Sequence, residues 1–170
     1  TKSIDFGNGI TLQAENNSQN AFVAKYNEQG QILWAKSGGG SENSDRANGV
    51  AVDHLGNVFI TGQFSGSANF GPYTLESQNG SIDVFIVKYD ASGNELWAKK
   101  GSGAQADRGL AITTDKQGSV YVTGQFSNDI TFDNTHSNNI LNAVFIVKLS
   151  ESGNEEWFRF AGGSEQSIAH

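Results

Sequence analysis

The chain has no cysteine, no methionine and a single proline among its 170 residues, and it is short of positive charge. Without cysteine there is no disulfide and no thiolate metal site, and the redox compartment stays open. Eleven basic residues stand against eighteen acidic ones for a net charge of −7, and no basic run offsets the deficit. That balance disfavours a phosphate-backbone partner, so no nucleic-acid ligand is expected. No segment approaches the roughly 20 consecutive apolar residues that cross a bilayer, and no basic stretch leading into an apolar one opens the chain. Neither membrane insertion nor a targeting signal is expected from these residues. With Thr1 in the place of a methionine, the first residue is expected to be the product of signal removal, proteolysis or truncation. Abundant Gly, Ser, Asn and Gln with few lysines is a composition common among exported bacterial proteins, and an extracellular or cell-surface location is the expectation drawn from it.

Helix signals are lacking too: no window holds apolar spacings of three and four, whereas glycine recurs every few positions. The fold class expected is all-β. What the chain has in place of helices is repetition. Val84-Phe85-Ile86-Val87-Lys88-Tyr89, with Gly93 and Trp97-Ala98-Lys99, returns upstream as Ala21-Phe22-Val23-Ala24-Lys25-Tyr26 with Gly30 and Trp34-Ala35-Lys36. It returns downstream as Val144-Phe145-Ile146-Val147-Lys148 with Gly153 and Trp157, so that the tryptophans are 63 and 60 residues apart. A period of that size means stacked units, each unable to bury its apolar surface without a neighbour. Strands are expected over 48–53, 57–64, 83–89 and 95–100, and again over 109–114, 119–126, 143–149 and 155–160.

The turns share a chemistry. Asp53, Asp90, Asp115, Ser150 and Asn27 each stand three residues before a glycine, Gly56, Gly93, Gly118, Gly153 and Gly30. A short polar side chain closes such a turn and glycine takes its positive φ, so these are hairpin tips. An EF-hand reading fails for want of alternating carboxylates and a distant bidentate Glu, and no metal is expected. Val58-Phe59-Ile60, Val84-Phe85-Ile86-Val87 and Val120-Tyr121-Val122 are continuous apolar runs, so both faces of their sheets must be covered. Repeated four-stranded antiparallel sheets apolar on both faces are the blades of a β-propeller.

The pattern Gly49-Val50-Ala51-Val52-Asp53, Gly56-Asn57-Val58-Phe59-Ile60-Thr61-Gly62-Gln63-Phe64, then Val84 to Asp90, Gly93-Asn94 and Leu96-Trp97-Ala98-Lys99 resembles the bacterial β-propeller repeat abbreviated SBBP. The resemblance implies a propeller segment of a large secreted or surface protein. It carries no agreed activity and no catalytic residues. The expected divisions are a partial blade over 1–46, blades over 47–107 and 108–161, and the start of a further blade over 162–170. About two and a half blades make an incomplete ring, since closure takes about four to eight. The remaining blades of a longer protein, or additional copies of the chain, are therefore expected partners. The stretch from Asp90 to Trp97 also resembles the tryptophan docking motif of quinoprotein propellers, which implies an indole stapling adjacent blades and no quinone; no cofactor is expected.

If strands A to D run outward in each blade, the tight turns lie on one face, and the long connections 65–82, 127–142, 37–45 and 101–107 lie on the other. Loops held by a scaffold carry function, so a ligand site is sought there, among Asn69, Tyr73, Glu76, Asn128, Asp129, Asp133, Asn134 and His136, with Glu42 nearby. Amides and carboxylates beside an aromatic ring suit a protein or a glycan. Asp45-Arg46 and Asp107-Arg108 recur 62 residues apart; they could grip an anion through the guanidinium fork or tie one blade to the next. Phe6, Phe70 and Phe132 are expected to pin the long connections. No nucleophile elbow, P-loop, H-E-x-x-H or G-x-G-x-x-G occurs, and His54, His136 and His170 read as surface residues. The function expected is a non-enzymatic binding or scaffold module. A carbohydrate-active hydrolase or lyase using Asp and Glu from several blades, or a spacer in a surface filament, are the alternatives.

Overall fold

Alternate residues of Val84-Phe85-Ile86-Val87 leave a strand on opposite faces, so an apolar run of this kind needs two cores. A computed structural model describes residues 3–13, 18–40, 45–133 and 135–162 and supplies both. Val84 and Ile86 join Phe59, Trp97, Val122 and Phe145 in one buried cluster. Phe85 and Val87 join Val23, Trp34, Ile60 and Phe64 in the other. Each core lies between sheets, and the central sheet contributes to both.

That central sheet is made of β5 (Arg46–Val52), β6 (Val58–Ser65), β9 (Ile82–Tyr89) and β10 (Glu95–Gly101), paired antiparallel in that spatial order. The next sheet repeats it with β11 (Arg108–Thr114), β12 (Val120–Phe132), β13 (Thr135–Leu149) and β14 (Glu155–Gly162). Before them stands the hairpin β3 (Ala21–Tyr26) and β4 (Ile32–Gly38), which carries the outer two strands of a blade. The chain is a partial β-propeller of antiparallel blades. The innermost strands β5 and β11 pack closely, with Asn48 Nδ2 donating to the Gly109 carbonyl at 2.8 Å. A Cβ on Gly49 would lie 3.2 Å from the Ala111 backbone. The expected start of a further blade lies, from residue 163 onward, outside the described residues.

The tight turns close as their composition predicts. Asp90 Oδ1 accepts the N–H groups of Ser92 and Asn94 at 2.8 and 2.9 Å. Asp53, Asp115 and Asn27 make the same pair of bonds. Bonds from Asn94's side chain and backbone hold the Asp90 carboxyl below the usual carboxylate value.

Each blade junction is stapled by a tryptophan and a lysine. Trp34 Nε1 donates to the Ala91 carbonyl of the next blade at 3.1 Å, and Lys25 Nζ reaches the same oxygen at 3.2 Å. One period later, Trp97 Nε1 and Lys88 Nζ meet the Glu151 carbonyl at 3.1 and 3.2 Å. The indole therefore docks on the neighbouring turn as well as on the sheet behind it.

Two of the four connections expected as long loops on the opposite face, 65–82 and 127–142, are largely strands. In the central blade, β7 (Ser67–Phe70) and β8 (Tyr73–Glu76) form a hairpin, followed by a 3-10 turn at Gln78–Gly80. In the next blade, β12 and β13 run on past the sheet and pair as far as Phe132 and Thr135. The cause is a period-two apolar pattern: Ala68, Phe70 and Leu75, then Ile130 and Phe132, are buried. The hairpin of β1 (Ser3–Asp5) and β2 (Thr11–Gln13) holds the same place before β3. Phe70 and Phe132 pin these arms as anticipated. Phe70 packs tilted on Phe85, ring centroids 4.8 Å apart, and lies where a side chain on Gly38 would be, while Phe132 meets Phe145 at 5.4 Å and covers Gly101.

Candidate functional site

The arms rise from one face of the blades, and adjacent arms leave a cleft between them. One cleft, of about 490 Å3, is walled by Thr74 and Glu76 of β8, Lys99 and Lys100 of β10, and Thr131 and Asp133 at the tip of the following arm. Lys99 Nζ spans it to the Asp133 carboxylate at 3.0 Å, and Lys100 Nζ donates to the Glu76 carbonyl at 2.6 Å. The cleft one blade earlier, of about 310 Å3, is walled by Gln13, Asn20, Ser37, Ser67 and Asn69 with the glycines 38 to 40. The two occupy equivalent places, since the bridge Gly39↔Asn69 at the floor of one matches Ser102↔Thr131 at the other. Their floors are alike and their walls differ: one is charged, the other neutral and polar.

The acids of the two Asp-Arg doublets point away from this surface. Asp45 is 2 % exposed; its carboxylate accepts the Gly40 N–H at 2.7 Å and the Ser65 N–H of the next blade at 3.3 Å. Burial raises its pKa, opposed by those two bonds. Asp107 is fully buried and accepts the Ser127 N–H at 3.3 Å, while its Oδ2 has no partner among the described residues. Burial, with Asp83 and Asp129 nearby, pushes this carboxyl up to about 8. The Asp45 carboxylate clasps the end of one blade to β6 of the next, whereas the Asp107 carboxylate holds Ser127 of its own blade and the Asp107 backbone N–H donates to the Ile82 carbonyl of the preceding one at 2.7 Å. The arginines stand apart from them in exposure: Arg46 is exposed and Arg108 half-buried, each opening an innermost strand.

The remaining predicted residues scatter over the arm face. Tyr73 Oη donates to the Leu96 carbonyl at 2.5 Å and braces β8 against β10. Asn128 sits at φ 71°, where the arm bends out of its sheet, and donates to Asp129 Oδ1 at 3.1 Å. Asp129 also accepts the Ala104 N–H at 3.2 Å, which ties the arm to the connection below. His136 is placed by its backbone alone, opposite Thr131. Glu42, Asn134 and His170 lie outside the described residues. Sequence reasoning passed over Lys99, Lys100, Thr74 and Thr131. Lys99 reads as part of the repeat, matching Lys36, and the arm bringing Thr131 beside it could not be placed from spacing. Among the described residues, no three His, Cys, Asp or Glu side chains come together as a metal-binding group.

Residues 34–71 match the family model of the SBBP beta-propeller repeat. The chain is 34% identical over 113 residues to an uncharacterized WD repeat-containing protein of Acanthamoeba polyphaga mimivirus, an overlap of 62% of this chain and 8% of that protein. It is 29% identical over 131 residues to the regulatory protein FlaEY of Caulobacter vibrioides, 75% of this chain and 14% of that one. The chain thus spans a small fraction of the length of these curated relatives.

Proposed function

We propose, with the β-propeller repeat of residues 34–71 as premise, that the chain is a protein-binding scaffold segment whose partner lies across the arm face. The observation that carries this reading is the pair of equivalent clefts with unlike walls. Blade-to-blade packing needs the glycine floors, Phe70 and Phe132, and these recur. It does not need Lys100 and Asp133 in one cleft, where Ser37 and Gly71 hold the matching places of the repeat one blade earlier. Side chains that vary on a constant frame are how a rigid scaffold acquires specificity. The similarity to a WD repeat-containing protein supports a protein partner over a small-molecule one.

The finer reading is an exported or cell-surface protein whose charged cleft takes a polypeptide segment. A glycan is the competing ligand. A photo-crosslinking residue at Thr74 or Asp133 should capture a defined protein partner from the native source, whereas the same residue at Leu55, an exposed tip on the opposite face, should not. Equal labelling from both faces would sink the proposal. Selective binding on a glycan array that is lost in Asp133→Ala would replace it with the glycan reading. Fractionation of cells of the native source, probed for this chain, checks the location.

A further inference from the structure

At the base of the arms the two blade junctions are built alike and differ in charge. Asp45 N donates to the Gln19 carbonyl as Asp107 N does to the Ile82 carbonyl. Gly40 lies against the Ser67 carbonyl as Gly103 lies against that of Asp129, neither with room for a Cβ. Asn20, Asp45 and Ser67 of the first junction are therefore matched by Asp83, Asp107 and Asp129 in the second. Three carboxylates stand where there was one.

The first junction balances its hydrogen bonds. Both oxygens of Asp45 hold N–H groups, those of Gly40 and Ser65 at 2.7 and 3.3 Å, and Asn20 brings no charge.

The second junction has a surplus of oxygen. The connection from Gly103 to Asp107 is one residue shorter than that from Gly40 to Asp45, and the bond that Gly40 gives to Asp45 has no counterpart. Asp107 Oδ2 is left buried without a partner among the described residues, 2.9 Å from where a Cβ on Gly103 would stand. Ser81 Oγ lies 2.6 Å from Asp83 Oδ1 and 3.0 Å from the Gly103 carbonyl, so one hydroxyl proton faces two acceptors. Asp83 is fully buried as well, its other oxygen accepting the Gln78 N–H at 2.8 Å. Among the described residues none of the three aspartates forms an ion pair. Lys100 acts on Asp83, and Arg108 on Asp107, only from a distance.

Buried carboxylates are costly unless something neutralises them. Oxygen donors alone, drawn from carboxylate, hydroxyl and main-chain carbonyl, are the ligands of a hard divalent cation, and calcium accepts irregular sets where magnesium demands an octahedron. Three acidic side chains do not converge here, so hydroxyl and carbonyl oxygens complete the protein's share.

We propose that this junction binds a calcium ion between Asp83 and Asp107, with Asp107 Oδ2, Asp83 Oδ1, Ser81 Oγ and the Gly103 carbonyl as its protein ligands. The ion ties the start of β9 to the connection that leads into β11, below the arm that carries Asp133. It does not depend on what the arm face binds. Without calcium a proton takes its place: the Asp107 carboxyl is held protonated up to about 8, so binding at neutral pH releases that proton.

Calorimetric titration of the chelator-treated chain with calcium chloride should show one site, and calcium should raise the melting temperature by mass action. Affinity should fall about tenfold between about pH 7 and 6, as one proton is displaced per ion. Asp83→Asn restores the amide that Asn20 supplies at the first junction, so its fold has a precedent within the chain. It should bind calcium at least about tenfold more weakly, because affinity follows the count of ligand charges. Asp107→Asn should do the same, whereas Asp45→Asn at the first junction should leave the affinity unchanged, with circular dichroism checking that each variant folds. No heat of binding and no rise in melting temperature in the wild type at about 10 mM calcium, above the range of weak extracellular sites, would overturn the proposal. Equal affinity in the wild type and Asp83→Asn would overturn it as well, since the ion would then lie elsewhere.

Discussion

Asp107 is a buried carboxyl with one long hydrogen bond and an oxygen without a partner, and its titration is the clearest consequence of the fold at the scale of one residue. Its folded pKa, about 8, lies far above an ordinary carboxylate. Near pH 4 and below, folded and unfolded chains both carry the proton and its contribution to stability is fully present. As pH rises toward and through 8 the unfolded chain ionises freely while the folded one resists, and stability is lost. Thermal melts should therefore fall between about pH 4 and 8 and level off above, and Asp107→Asn, which cannot ionise, should flatten that limb. The turn aspartates act in the opposite direction: Asp90, held low by Asn94, contributes above pH 4 and loses its effect in acid. Glycine offers a second comparison. Gly93→Ala would add both a positive-φ residue and a clash with Trp34, whereas Gly30→Ala, at a similar φ, meets open space. The first should cost about 2 to 4 kcal/mol and the second about 1 to 2, the strain of the left-handed conformation alone, as chemical denaturation at low protein concentration would measure.

The arms are the element that the chain's composition concealed. Segments such as Ser65-Gly66-Ser67-Ala68-Asn69 and Asn138-Asn139 read as loops because Gly, Ser and Asn dominate them. Their few apolar residues fall at period two, and that was enough to make strands once a blade edge lay beneath. Phe132 shows why the arm is held: it is 3% exposed and packs tilted against Phe145 and Phe158, with ring centroids 5.4 and 5.7 Å away. Phe132→Ala should cost about 3 to 5 kcal/mol, as for other buried rings. Phe6→Ala, at a half-buried equivalent position, should cost well under half of that. Calorimetry on both variants checks the contrast. If the arms were loose loops the two losses would be equal and small.

At the scale of the whole molecule, stability resides in the junctions between blades, since both cores lie there. An array of this kind is stabilised approximately as a sum of nearest-neighbour interfaces. Trp97→Ala, which strikes an occupied junction, should lower the unfolding free energy by about 3 to 5 kcal/mol. Trp157→Ala, at an edge with no further blade among the described residues, should cost less, about 1 to 3 kcal/mol, because the ring is only partly buried, beside Tyr121. A calorimetric comparison at micromolar concentration separates the two, and equal losses would contradict the junction account. The exposed apolar residues Phe22 and Tyr26 lie on the face of β3 that no blade covers among the described residues.

Sequence by itself determined the class, the strand period, the turn chemistry and the propeller repeat, because these rest on local rules: apolar runs of strand length, a capping side chain three residues before a glycine, and three copies of one pattern. It also marked Trp34, Trp97 and Trp157 as staples and Phe70 and Phe132 as pins. Only the tertiary structure decided which groups meet. It turned Asp45 and Asp107 inward, Asp45 to hold the N–H groups of Gly40 and Ser65 and Asp107 that of Ser127. It gathered Thr74, Lys99, Thr131 and Asp133 around one cleft from two arms and a strand between them. Such pairings depend on how each blade is rotated against the next, and no spacing along the chain encodes that rotation.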